Sequence, residues 1–164
     1  MLKINQLAPE ILFMLSSTLA TLFPIIAGIK NYSKLPPAQM LTFWFCVVSF
    51  FLMVYANVLF MFKTNNMWIG HLYLLIQFLC MVRAYQLEMK NQVPKWLFWF
   101  ILIGFTVFSL TNSWYLQPLT VHNTYSRNLA SIILSLISVY YFFDLIRRPF
   151  TVKIERLFMF WFST

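Results

Sequence analysis

From Ile11 to Ile29 the chain carries no charged residue. Wound as an α-helix at 1.5 Å per residue, about 19 such positions reach across a hydrocarbon core of roughly 30 Å. Comparable apolar runs recur at about 39–62, 67–85, 96–114 and 128–146, and an eight-residue run follows at 157–164. Lipid offers no hydrogen bonds to the backbone, so a chain built this way must satisfy its peptide groups within helices and pack those helices together. The expectation is an all-α, polytopic membrane helix bundle with about five transmembrane helices plus a partial sixth, residues 1–164 forming a single transmembrane helical domain. Composition agrees. The chain is 61% hydrophobic and 10% charged, against roughly 25% charged in soluble domains, and 164 residues enclose too little interior to hide that apolar surface from water.

The connections carry the turn chemistry. Lys30 to Pro37 includes paired prolines, Lys63-Thr64-Asn65-Asn66 is short and polar, Glu88 to Lys95 places Pro94 just before a helix start, and Tyr115 to Arg127 is the longest. Arg147-Arg148-Pro149 closes the fifth run. The first run is too long for a signal-peptide core and lacks a small-residue cleavage site, so it reads as a retained helix. The last run is too short to cross a bilayer, so the chain is expected to stop inside its sixth helix.

The net charge of +8 lies in clusters between apolar runs and not along one face, which points to membrane lipids as partners and not to nucleic acid. Alternating the connections across the bilayer puts Lys3, Lys63 and Arg127 on the N-terminal side. The other nine, Lys30, Lys34, Arg83, Lys90, Lys95, Arg147, Arg148, Lys153 and Arg156, fall opposite. The positive-inside rule then places the N-terminus outside and loops 1, 3 and 5 in the cytoplasm. Cys46 and Cys80 sit within apolar runs and read as buried, reduced thiols.

Polar groups inside the spans are costly and mark the places to look for function. Asn57 and His71 come out at similar depth on adjacent helices, so a hydrogen bond between them would satisfy both, and a histidine there could also bind a proton, a metal or a ligand. Gln77 falls near the midplane on a face with Gly70, Tyr73, Cys80 and Ala84, and that face is expected to meet other helices, with Gln77 as packing glue. Ser17, Thr21, Pro24 and Gly28 form a stripe on helix one, as do Ser131, Ser135 and Ser138 on helix five, and both read as close-packing seams. Pro24 is placed to kink helix one. Asp144 stands three and four residues before Arg147 and Arg148, the spacing of an intrahelical ion pair. His122 has no second ligand at metal-binding spacing. HExxH, GxSxG and phosphate-cradling glycine loops are absent, there are four acidic residues in all, and no catalytic residue, metal or cofactor is assigned.

The run Asn65-Asn66-Met67-Trp68-Ile69-Gly70-His71-Leu72-Tyr73-Leu74-Leu75-Ile76-Gln77-Phe78 resembles a segment of uncharacterised bacterial multi-pass membrane proteins, which reads as Asn-Asn, apolar residues, His-hydrophobic-Tyr, then an acid before Phe. Tyr140-Tyr141-Phe142 and Phe160-Trp161 are similar to the end of that pattern, after which further helices follow. The resemblance implies a bacterial inner-membrane location and a C-terminally truncated chain, and carries no activity. Gln77 stands where the pattern has an acid, which argues against proton chemistry by a His–acid pair. Three functions remain open: a membrane sensor or scaffold region whose Asn57 and His71 area meets a ligand or another membrane or signalling protein; a small transporter or transporter half, with a wet path past Gln77, Asn57 and Ser135; and a lipid-modifying enzyme using His71 with a residue beyond Thr164.

Overall fold

The computed structural model describes Met14, residues 16–89 and residues 93–147. Helix α1, Leu22–Lys30, continues an apolar helical stretch that starts at Ser16. The two parts meet at a tight turn in which the Thr21 N–H reaches the Thr18 carbonyl (3.3 Å). Pro24 explains the break, because its ring displaces the carbonyl four residues earlier. A 3-10 turn at Tyr32–Lys34 leads into α2, Pro37–Met61, which opens with Pro37 in the first helical position, where a missing N–H costs nothing. Then come α3, Met67–Glu88; α4, Lys95–Thr111, prolonged by a π-helical turn at Asn112–Leu116; and α5, Thr124–Arg147.

The described residues form an all-α bundle, and α2, α3, α4 with its π turn, and α5 are each long and apolar enough to cross a membrane. The apolar helix Ser16–Lys30 is shorter than a span. The rest of the expected first span lies outside the described residues, as does the expected partial helix at 157–164.

Helix α3 is the hub, packed against α2, α4 and α5, while α1 leans on α2. Its buried stripe is His71, Leu74, Phe78, Val82 and Tyr85, continued by Met89 at its C-terminal cap, spaced by three and four as one helical face requires. Phe78 stacks on Phe105 of α4 with centroids 3.7 Å apart, and Tyr85 meets Tyr141 of α5 edge-on at 5.8 Å. The expected inward face through Gln77 is displaced by this stripe: Gly70, Tyr73, Gln77 and Cys80 are half-buried, and only Ala84 is buried. The ring contacts of Phe78 and Tyr85 outweigh one amide in deciding which face turns in.

The two small-residue stripes also part company. Gly28 is buried where α1 crosses α2, and a Cβ there would stand 2.2 Å from the Phe43 ring. On α5, Ser131 and Ser135 are exposed, and the buried positions are Ser126, Ala130, Tyr141 and Leu145. Ser131 returns its hydroxyl to the Arg127 carbonyl (2.9 Å), so it needs no neighbouring helix. Phe23, Phe51, Phe100 and Leu136 are exposed on the outer surface, as suits a bundle whose solvent is hydrocarbon.

Candidate functional site

The polar side chains converge on one end of the bundle, where the connection 62–66 meets the connection that follows α4. The C-terminus of α2 turns through Lys63, the one non-glycine residue with positive φ (54°) among the described residues. Lys63 N–H bonds the Phe60 carbonyl (2.9 Å) and Thr64 N–H the Leu59 carbonyl (3.0 Å), the paired bonds of a Schellman cap. Asn65 then accepts the Met67 N–H through Oδ1 (3.0 Å), which starts α3, and its Nδ2 reaches across to the Leu119 carbonyl (3.4 Å). Asn66 donates back to the Ala56 carbonyl of α2 (3.4 Å). The Asn-Asn pair thus ties together α2, α3 and the connection between α4 and α5.

His71 lies one turn further into α3 and is 5% exposed. Its Nε2 is 3.0 Å from the Val121 carbonyl and its Nδ1 is 2.8 Å from Ser113 Oγ. A carbonyl only accepts, so Nε2 donates to Val121, while Ser113 Oγ, which turns its own hydrogen to the Ser109 carbonyl (2.9 Å), is the neighbour at Nδ1. Ser113 sits in the π turn, where one extra residue per turn re-aims the side chains.

Asn112, fully buried in the same turn, anchors the rest. Its Nδ2 lies 2.9 Å from Asn123 Oδ1, 3.1 Å from Ser126 Oγ and 3.2 Å from Gln117 Oε1. The two acceptor amides are oriented by backbone donors at the start of α5, with Tyr125 N–H on Gln117 Oε1 (3.0 Å) and Ser126 N–H on Asn123 Oδ1 (3.3 Å). Asn123 is therefore the N-cap of α5. With those oxygens fixed, Asn112 Oδ1 and Asn123 Nδ2 remain buried without a hydrogen-bond partner.

Beside this brace is a cavity of about 320 Å³, at the lower end of the range for small-molecule sites. Leu52, Met53 and Ala56 of α2 and Met67, Ile69, Gly70 and Tyr73 of α3 form its apolar side, while Asn66, His122, Asn123 and Arg127 supply polar groups. His71 does not line it. By holding Val121 it holds the backbone immediately before His122 and Asn123, which makes His71 a positioning residue for the cavity wall.

The three residues singled out from the sequence are not brought together. Asn57 donates to Thr18 Oγ1 (2.9 Å), and that hydroxyl passes its own hydrogen to the Met14 carbonyl (2.8 Å). The expected Asn57–His71 bond is therefore replaced by two separate clasps, α2 to the segment before α1 and α3 to the α4–α5 connection. Gln77 is half-buried and makes no side-chain hydrogen bond among the described residues. Asn112, Gln117, Asn123 and Ser126 were not singled out. The available signal was Asn112 itself, a strong hydrogen-bonding group inside the span expected at 96–114. No protein-family model matches the chain, and neither does any curated protein or solved structure.

Proposed function

We propose that the chain is the membrane part of a ligand sensor, multi-pass, with its N-terminus and the 62–66 and 112–123 connections outside the cell and its basic loops in the cytoplasm. The observation that carries the reading is the cavity at the braced end, with a mixed lining and one wall held in place by His71. The excess of basic residues on the opposite side supports the orientation. The brace supports sensing: the loop that walls the cavity is bonded to both α3 and the end of α4, so an occupant that shifts it acts on two spanning helices at once. Neither Gln77, Asn57 nor Ser135 lines this cavity, which favours a sensor over a transporter path running past them.

Orientation is tested with single cysteines at Thr64 and Lys34 in a chain whose Cys46 and Cys80 are replaced by alanine. A membrane-impermeant maleimide added to intact cells is expected to label Thr64→Cys and spare Lys34→Cys, and the reverse pattern would invert the proposal. Sensing is tested by hydrogen exchange on the purified chain with and without an occupant of the cavity. Protection should rise in 117–123 and also change in α4, whereas a change confined to the lining residues would reduce the site to simple binding.

A further inference from the structure

Resting on that reading of the cavity as a ligand site, we infer that its occupant is an amphiphilic anion, a carboxylate or phosphate head on a short apolar chain. Two helix N-termini converge on the cavity, since Asn66 and Met67 begin α3 and Asn123 caps α5, and all three residues line it. Each N-terminus carries a partial positive charge that an acidic residue in the first turn ordinarily offsets. Neither helix has one. The acids among the described residues, Glu88 and Asp144, lie at the opposite end of the bundle, in the last turns of α3 and α5. Arg127 in the cavity lining has no ion-pair partner among the described residues.

A second and independent observation is the Asn123 amide. It is 95% buried by its 5% residual exposure, its oxygen is committed to Asn112 and Ser126, and its Nδ2 has no acceptor. A buried donor without a partner is costly, and an acceptor oxygen entering beside Asn123 would relieve that cost. The guanidinium of Arg127 matches the paired oxygens of a carboxylate or phosphate, and the His122 ring adds a further polar contact. Leu52, Met53 and Ile69 fit a short hydrocarbon chain, which makes the occupant amphiphilic and not a bare inorganic ion.

The test is equilibrium binding of radiolabelled octanoate to the full chain in phosphatidylcholine nanodiscs, with octanol and acetate as comparisons. Octanoate should bind, Arg127→Gln should weaken it by about tenfold or more, as the loss of one charge-assisted contact implies, and Lys34→Gln at the opposite end should leave it unchanged. Octanol should bind more weakly and not distinguish wild type from Arg127→Gln; acetate should not bind measurably. Gly70 lines the cavity and a Cβ there meets nothing within 4 Å, so Gly70→Leu fills the space without a backbone clash and should abolish octanoate binding.

Equal affinity for octanol and octanoate, with both lost in Gly70→Leu, would overturn the anionic head while keeping the site. Octanol binding without octanoate binding would likewise overturn only the anionic head, whereas binding of neither, or binding indifferent to Gly70→Leu, would overturn the site and the proposed function with it. Repeating the measurement in phosphatidylglycerol nanodiscs separates the sources of the same chemistry. Competition there identifies the bilayer's own acidic lipid, and undiminished binding identifies a soluble amphiphile; both support the anionic occupant.

Discussion

The bundle holds a cavity at each end, and the two differ less in size than in what surrounds them. The cavity beside the Asn112 network measures about 320 Å³ and the one between α4 and α5 at the opposite end about 340 Å³. The first has Arg127, His122, Asn66 and Asn123 in its wall, and the second is lined by Met89, Val93, Pro94, Leu97, Phe98, Ile101, Leu136, Ile137 and Tyr140. At the second end the helices are held by ring contacts and apolar packing, including Tyr85 on Tyr141. At the first they are held by directional bonds between side chains and loop backbone. Apolar packing between helices in lipid leaves gaps that acyl chains can fill. A cavity with a polar brace around it needs atoms in fixed places, so the chemistry of the wall and not its volume separates a site from a packing gap.

If the brace supports the end it occupies, removing its hub should loosen that end most. Asn112→Ala removes the donor shared by Asn123, Ser126 and Gln117 and empties a fully buried position. The expected loss is about 3 kcal/mol, the upper part of the range for a buried polar group whose partners stay behind. It is read as the largest fall in apparent unfolding temperature among the variants considered, with early proteolysis in the 117–123 connection. His71→Phe keeps an aromatic ring, slightly larger, and deletes the bonds to Val121 and Ser113, and is expected to cost about 2 kcal/mol. Hydrogen exchange should localise that loss to 117–123 while α4 near Phe98 stays protected. Equal loosening at both ends would show that the bundle melts as one unit and that the brace is not a separate device.

Those two residues also show how far the sequence could be read. The helices were legible because each needs a long apolar run: the expected spans 39–62 and 67–85 are observed at Pro37–Met61 and Met67–Glu88. Apolar character is a poor guide to where a helix starts in polar sequence. The fifth was expected from Asn128 and starts at Thr124, because Asn123 and Gln117 satisfy the first N–H groups and let α5 extend through Thr124, Tyr125, Ser126 and Arg127. His71 was visible as a lone histidine in a span, whereas its partners Ser113 and Val121 are more than forty residues away and meet it only through the π turn. Gln77 stands out in the sequence by its depth, but depth alone does not say which face of the helix turns in.

The apolar cavity gives a sharper and smaller test. Ile137 is half-buried on its wall, so Ile137→Phe adds carbon where there is space. Filling a gap of this kind is expected to raise stability by about 1 kcal/mol, seen as a modest rise in unfolding temperature, with octanoate binding unchanged. A comparable loss of octanoate affinity in Ile137→Phe and in Gly70→Leu would erase the distinction between the two ends.

The smallest effect is expected at Lys63, where the braced end turns from α2 to α3. Its φ of 54° lies in the left-handed region, which a side chain with a Cβ enters at a cost and glycine enters freely. The Schellman bonds at Phe60 and Leu59 use only backbone atoms, so Lys63→Gly keeps the cap and relieves the strain. Part of the gain is returned as the greater freedom of glycine in the unfolded chain, and a net stabilisation of about 0.5 kcal/mol is expected, measured against Lys63→Ala, which keeps the strain and should show none. The same substitution lowers the basic residues on the proposed outer side from three to two against nine. Under the positive-inside rule that deepens the existing bias, so impermeant labelling at Thr64→Cys should be at least as complete in the glycine variant as in its parent.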